Sequence, residues 1–170
     1  WGMRADVVIA GGGGDNAASA IGVGVVRAGE AFVSLGTSGV LFAASDAYQP
    51  DPASAVHSFC HAVPQTWHQM GVILAASDAL SWFGRVLGAA PGDMTSGLGP
   101  LQAPSSTLFL PYLGGERTPH NDAVIRASFL NLNHSTDHVA MTRAVMEGVT
   151  YAVRDSFDAL TSTGTKIERL

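Results

Sequence analysis

The sequence predicts an α/β fold in which a mixed sheet is flanked by helices. The prediction rests on short apolar runs of strand length, on helical periodicity elsewhere, and on a glycine turn joining two strand candidates. Hairpins interspersed with helices exclude a purely parallel βαβ sheet. The 170 residues suffice for one domain with a core, and 46% hydrophobic against 14% charged residues excludes disorder.

Asp6 to Ala10, followed by glycines, reads as a buried strand. Residues 15 to 26 form a helix of small side chains that can pack close to a sheet. Phe32 to Leu35 and Val40 to Ala44 are strands joined by Gly36-Thr37-Ser38-Gly39. His57 to Ala62 and Trp67 to Ile73 are strands around Pro64-Gln65. Leu74 to Leu87 is helical and Gly88 its stop. Residues 88 to 106 read as a loop. Thr107 to Leu113 and Arg126 to Leu132 are strands, with a polar loop at 114–122 between them. The last helix runs from about His138 to Ser162, with Asp137 as N-cap and Gly164 as stop. Val145, Val149, Ala152, Val153, Phe157 and Leu160 share its buried face.

The formal net charge of −5 and the lack of a basic run argue against nucleic acid as a partner. No apolar stretch is long enough to span a bilayer, and no signal-peptide pattern is present. The single cysteine, Cys60, fits a reducing cytoplasm. The only lysine is Lys166, so no P-loop lysine can follow a glycine run. Phosphate binding must then rest on backbone N–H groups, hydroxyls and a metal. The start at Trp1 and the closing Thr165–Leu170, which reads as the approach to a strand, suggest a fragment of a longer chain.

Gly11-Gly12-Gly13-Gly14-Asp15 sits where a strand gives way to a helix. Glycines permit close approach of a ligand, and a helix start offers free N–H groups. The local pattern fits a turn capped by Asp15 as well as it fits a functional site. Gly12, Gly14 and Ala17, with Glu30 further on, also match the dinucleotide-binding spacing. Asp15 would set a negative charge against a pyrophosphate, and a hairpin follows instead of a parallel crossover, so phosphoryl transfer ranks above that reading. Gly36-Thr37-Ser38-Gly39 can turn several N–H groups into one concavity for an anion.

Glu116, Arg117 and His120 belong to the most polar loop, where a Glu116–Arg117 pair is as good a reading as a phosphate contact. His57, Cys60, His61 and His68 invite a zinc reading, but strand alternation sets His57 and His61 on one face and Cys60 on the other. Core or surface histidines and no metal site in this chain are therefore expected. Trp67, Trp82 and Phe83 are expected in the core.

At these residues the sequence resembles the FGGY carbohydrate kinases. The carrying motifs are Gly12-Gly13-Gly14-Asp15-Asn16-Ala17-Ala18, Ser34 to Val40, Ala55 to Ala62, Leu110 to Asn121, and Arg143 to Val149. The sequence departs from the family pattern at Asn131, where glycine is usual, and at Ala140, where a polar residue is usual. The resemblance implies a ribonuclease-H-like (actin-like ATPase) fold closing over a cleft. This chain would be an incomplete nucleotide-binding domain, lacking both an amino-terminal sugar domain and an adenosine motif beyond Leu170. It implies ATP and Mg²⁺, a small sugar substrate, and Asp15 as the base for the sugar hydroxyl. Asn16 would bind the sugar, Gly36 and Thr37 the phosphates, and Ser77 and Ser81 the nucleotide, with Arg117 as a further phosphate or domain contact. A homodimer is expected of the full-length protein. A different sugar, or a non-catalytic interface role for the fragment, remain as alternatives.

Overall fold

The structure, a computed structural model, describes residues 2–8 and 10–170. Helix α1 (Asp15–Val23) ends at Gly24, whose φ of 79° lets its N–H and that of Val25 turn back to Ile21 and Ala20. The helix therefore stops short of the expected residue 26. Strands β1 (Gly29–Leu35) and β2 (Gly39–Ser45) form the hairpin, with Leu35 opposite Gly39. Then come β3 (His57–Cys60), β4 (Trp67–Ile73), α2 (Ser77–Leu87), α3 (Pro91–Ser96), β5 (Leu108–Leu110), β6 (Ser128–Leu130), α4 (His138–Ser162) and β7 (Ile167–Arg169).

Five strands form one sheet in the order β3-β4-β2-β1-β7. β7 runs parallel to β1 and the other pairs are antiparallel, so the sheet is mixed as expected. β5 and β6 form a separate two-stranded ladder.

The central strand β2 explains the layering. Its side chains alternate, and both faces are buried. Phe42 and Ala44 join Ala20 and Val25 on the α1 side, while Leu41 and Ala43 join Ala159 and Leu160 of α4 on the other. Phe42 is stacked between Phe32 at 4.9 Å and His68 at 4.4 Å. Burying such a ring contributes about 2–3 kcal/mol. Trp82 stacks on Phe109 at 5.8 Å within a second core formed by α2, α4 and the small ladder.

Helix α4 approaches the sheet closely because two glycines permit it. A Cβ at Gly148 would run into the Phe109 carbonyl, and one at Gly71 would lie 2.7 Å from Cβ of Ser156. Asp137 caps α4 as expected, its Oδ1 accepting the Ala140 N–H at 2.8 Å. Gly88 ends α2 in the left-handed region, also as expected.

Two stretches differ from expectation in kind, beyond shortened ends such as β5 and β6. The run Asp6 to Ala10 is not a buried strand: residues 6–8 and 10 are exposed and outside any strand, and Ile9 lies outside the described residues. No described strand runs beside it to take its backbone hydrogen bonds. The stretch 88–106 is not all loop, because Pro91 supplies the first turn of α3 with a preset φ. Asn131 keeps the conformation for which glycine is usual. Its φ is 58°, and its side-chain amide donates to the Ser106 carbonyl at 3.1 Å.

Candidate active site

Asp15 is the first residue of α1, and Gly14, not Asp15, occupies the N-cap. The capped-turn reading is thereby corrected: the carboxylate makes no cap bond. Its Oδ1 instead accepts the Asn16 backbone N–H at 2.8 Å and the Asn16 amide at 3.3 Å. The side chain is exposed. A Cβ at Gly11, Gly12 or Gly14 would meet nothing within 4 Å, so the approach to Asp15 is open.

The turn between β1 and β2 is tied to the start of α2. Ala76 N–H donates to the Thr37 carbonyl at 2.9 Å, and Ser77 N–H to the Gly36 carbonyl at 3.0 Å. The Ser77 hydroxyl donates to the same Gly36 carbonyl. Gly36 spends its own N–H on the Ser38 carbonyl at 3.0 Å. The Thr37 and Ser38 hydroxyls are exposed and make no hydrogen bond among the described residues. Ser81 lies half-buried further along α2.

α1 leads into β1 through the short connection 24–28. Gly13, two residues before Asp15, faces Ala62 just beyond β3, and Cys60 of β3 pairs with Trp67, which pairs with Ser45. The glycine run therefore meets the sheet at the end away from the Gly36–Ser38 turn, and the described residues do not bring Asp15 and that turn together. Lys166 lines a cavity with Gly29 and Ser45, also away from the turn. An apolar recess of about 250 Å³ adjoins the turn, lined by Leu35, Ala76, Ser77, Leu80, Val145 and Val149 among others.

The polar loop is better built than its sequence suggests. Glu116 is only 2% exposed, and its Oε1 accepts the Leu74 N–H at 2.8 Å and the Arg117 N–H at 2.7 Å. Burial raises its pKa against the pull of these bonds. The Arg117 guanidinium turns away from it, to 3.4 Å from Nε2 of His57. The side-chain pair read at this loop is therefore not formed. Burial, helped by the Arg117 charge, lowers the His57 pKa.

His61 and His68 are buried in the aromatic packing around Phe42. Burial and the neighbouring His61 bring the His68 pKa to about 4, so its ring is neutral near pH 7. Among the described residues no group of three or more His, Cys, Asp or Glu is placed to hold a metal. No described helix is long and apolar enough to cross a membrane. Glu30 is already committed, its carboxylate taking the Val26 and Arg27 N–H groups and pairing with Arg169 at 2.9 Å. It is not free for the ribose that the dinucleotide reading requires.

Residues 31–170 match the model for the FGGY family of carbohydrate kinases, C-terminal domain. The chain belongs to that family. This FGGY chain is 46% identical over 168 residues to the xylulose kinase of Escherichia coli, covering 98% of the chain and 34% of the relative. It is 32% identical to the gluconokinase of Bacillus subtilis over 86% of its length, spanning 31% of that protein. It superposes on the crystal structure of a xyloylose kinase from Brucella ovis with a TM-score of 0.93 and 62% identity, covering 97% of this chain and 35% of that one. The chain thus spans about a third of the length of these relatives. Its mixed sheet between helices is the ribonuclease-H-like, actin-like architecture of FGGY kinases.

Proposed function

We propose that the chain is the first part of the nucleotide-binding half of a kinase that transfers the γ-phosphoryl group of ATP to D-xylulose, giving D-xylulose 5-phosphate. The likeness to xylulose kinases carries the choice of sugar. The open carboxylate of Asp15 and the exposed hydroxyls of Thr37 and Ser38 support the chemistry.

Asp15 accepts the proton of the attacking sugar hydroxyl through its exposed carboxylate. The sugar oxygen forms its bond to the γ-phosphorus as the bond to the bridging oxygen breaks, and ADP leaves. Little proton transfer is needed early in such a loose transition state, so positioning dominates. Asn16, beside Asp15, orients a sugar hydroxyl. The Thr37 hydroxyl and the outward face of the turn meet the terminal phosphates. Gly36 acts through its tight backbone, since its N–H is already used. Ser77 fixes the turn and lines the recess that can take the nucleoside, with Ser81 further along the same helix. Arg117 serves as an additional phosphate or domain contact.

Magnesium, where bound, neutralises charge developing on the phosphate oxygens. Such an ion is held largely by those oxygens and water, with one or two carboxylates. The described residues fit that arrangement without a dedicated cage, and no ligand is assigned among them.

The test is a coupled ADP-release assay on the full-length protein with MgATP and D-xylulose. Turnover with kcat/KM well above that for other sugars is expected. The match to a gluconokinase favours gluconate as the second reading. A higher kcat/KM on gluconate would replace the first reading by the second.

A further inference from the structure

The loop at 114–122 stands apart from Asp15 in sequence, yet its most buried side chain leads back to the phosphate turn. Strand β3 pairs with β4 only from Trp67 to Met70. Beyond Met70, the segment Glu116–Thr118 takes its place. The Thr118 N–H donates to the Val72 carbonyl at 3.0 Å, and its Oγ1 accepts the Val72 N–H at 3.0 Å. Two residues on, Glu116 Oε1 accepts the Leu74 N–H. Side-chain oxygens thus stand in for the acceptors of a missing strand, and β4 is held straight into the junction Leu74–Ala76.

That junction is what grips the turn. Ala76 and Ser77 donate their N–H groups to Thr37 and Gly36, and Asp78 N–H reaches the Thr37 carbonyl at 3.4 Å. With both carbonyls turned inward, the Thr37 and Ser38 hydroxyls face outward. The relay therefore runs from Glu116 through Leu74 to the turn. Burying a carboxyl at 2% exposure is costly unless its bonds are needed, and one of its oxygens, Oε2, has no partner among the described residues.

We propose that Glu116 is a positioning residue for nucleotide binding: it fixes the β4–α2 junction and through it the orientation of the Gly36–Ser38 turn. The nucleotide part rests on the kinase reading above, whereas the structural relay does not.

The full-length protein and two conservative variants test both parts. Glu116→Asp is one methylene too short to reach Leu74 N–H, while Glu116→Gln keeps an acceptor at the same reach. Hydrogen–deuterium exchange reads the relay without any substrate. In Glu116→Asp, exchange speeds up at 74–78 and also at 36–39, while α4 residues 152–160 stay protected. Glu116→Gln restores both segments toward wild type. Kinetics reads the consequence. Glu116→Asp raises KM for ATP by about tenfold, the scale of one lost hydrogen bond to a charged acceptor, with KM for the sugar unchanged. Unchanged exchange at 36–39 in Glu116→Asp overturns the relay. Altered exchange with ATP and sugar KM values moving alike overturns the nucleotide role. Wild-type protein inactive on every sugar tried overturns the kinase reading and, with it, the nucleotide role, while exchange still decides the relay.

Discussion

Asp15 shows what a single residue gains from its neighbours. One oxygen is occupied by Asn16, the side chain is exposed, and the glycines before it leave the approach clear. Asp15→Asn keeps an oxygen for the Asn16 N–H, so the fold should be unaffected. Loss of the proposed base is expected to lower kcat by about 10²–10⁴-fold. Steady-state kinetics on the full-length variant, with thermal unfolding as a control, checks this, and a kcat near wild type would remove Asp15 from its role. His68 makes a separate prediction about stability. Its pKa falls from 6.5 in the unfolded chain to about 4 in the fold, chiefly through burial and then through His61. The unfolded state therefore takes up a proton first as pH drops. Stability is full above pH 6.5 and is lost as pH falls towards 4, by an amount on the order of 3 kcal/mol. His68→Phe keeps the stack on Phe42 and should flatten that slope in thermal unfolding. Glu116 titrates in the opposite sense, so comparing the variant with wild type isolates His68. The helix that starts at Asp15 was legible from its glycine run, whereas the role proposed for Asp15 rests on the family resemblance. The burial of Glu116 was not legible, because a Gly-Gly-Glu-Arg loop reads as surface until its hydrogen bonds to β4 are seen.

At the scale of elements, periodicity served well where an element packs along its whole length. The span of α4 and its Asp137 cap follow from the sequence because a long apolar stripe and a capping side chain are both local signals. β4 was equally legible, since it is flanked on both sides within the sheet. The run before the glycines misled, because apolar composition predicts burial but cannot supply a neighbouring strand. α3 was missed because six residues beginning at Pro91 carry too little periodicity. Close approach between elements is the other signal that composition hides. Gly148 brings α4 against the backbone of β5, and no rotamer change can relieve a clash with a carbonyl. Gly148→Ala should therefore destabilise the protein by about 2–3 kcal/mol, despite alanine's better helix propensity. A lowered unfolding midpoint checks it; a raised one would mean that propensity outweighs the clash.

Across the whole molecule, the distribution of charge decides what this chain can do by itself. In the proposed reading ATP brings several negative charges to the Gly36–Ser38 turn, where the chain offers hydroxyls and backbone N–H groups. The only lysine stands at the opposite end of β1, which at strand rise is about 20 Å away. The N–H groups that begin α2, the usual substitute for a cation, are turned to the carbonyls of the turn. An exposed carboxylate and an exposed turn also leave water in contact with the reacting groups, where electrostatic stabilisation is weakest. Since the chain spans about a third of its relatives, the 170-residue polypeptide alone is expected to show no sugar-dependent ATP turnover. The full-length protein should show it under the same conditions. ADP release measured for the two side by side decides the matter. Turnover by the isolated chain above the no-sugar background would mean that the residues of this chain suffice without the rest of the protein.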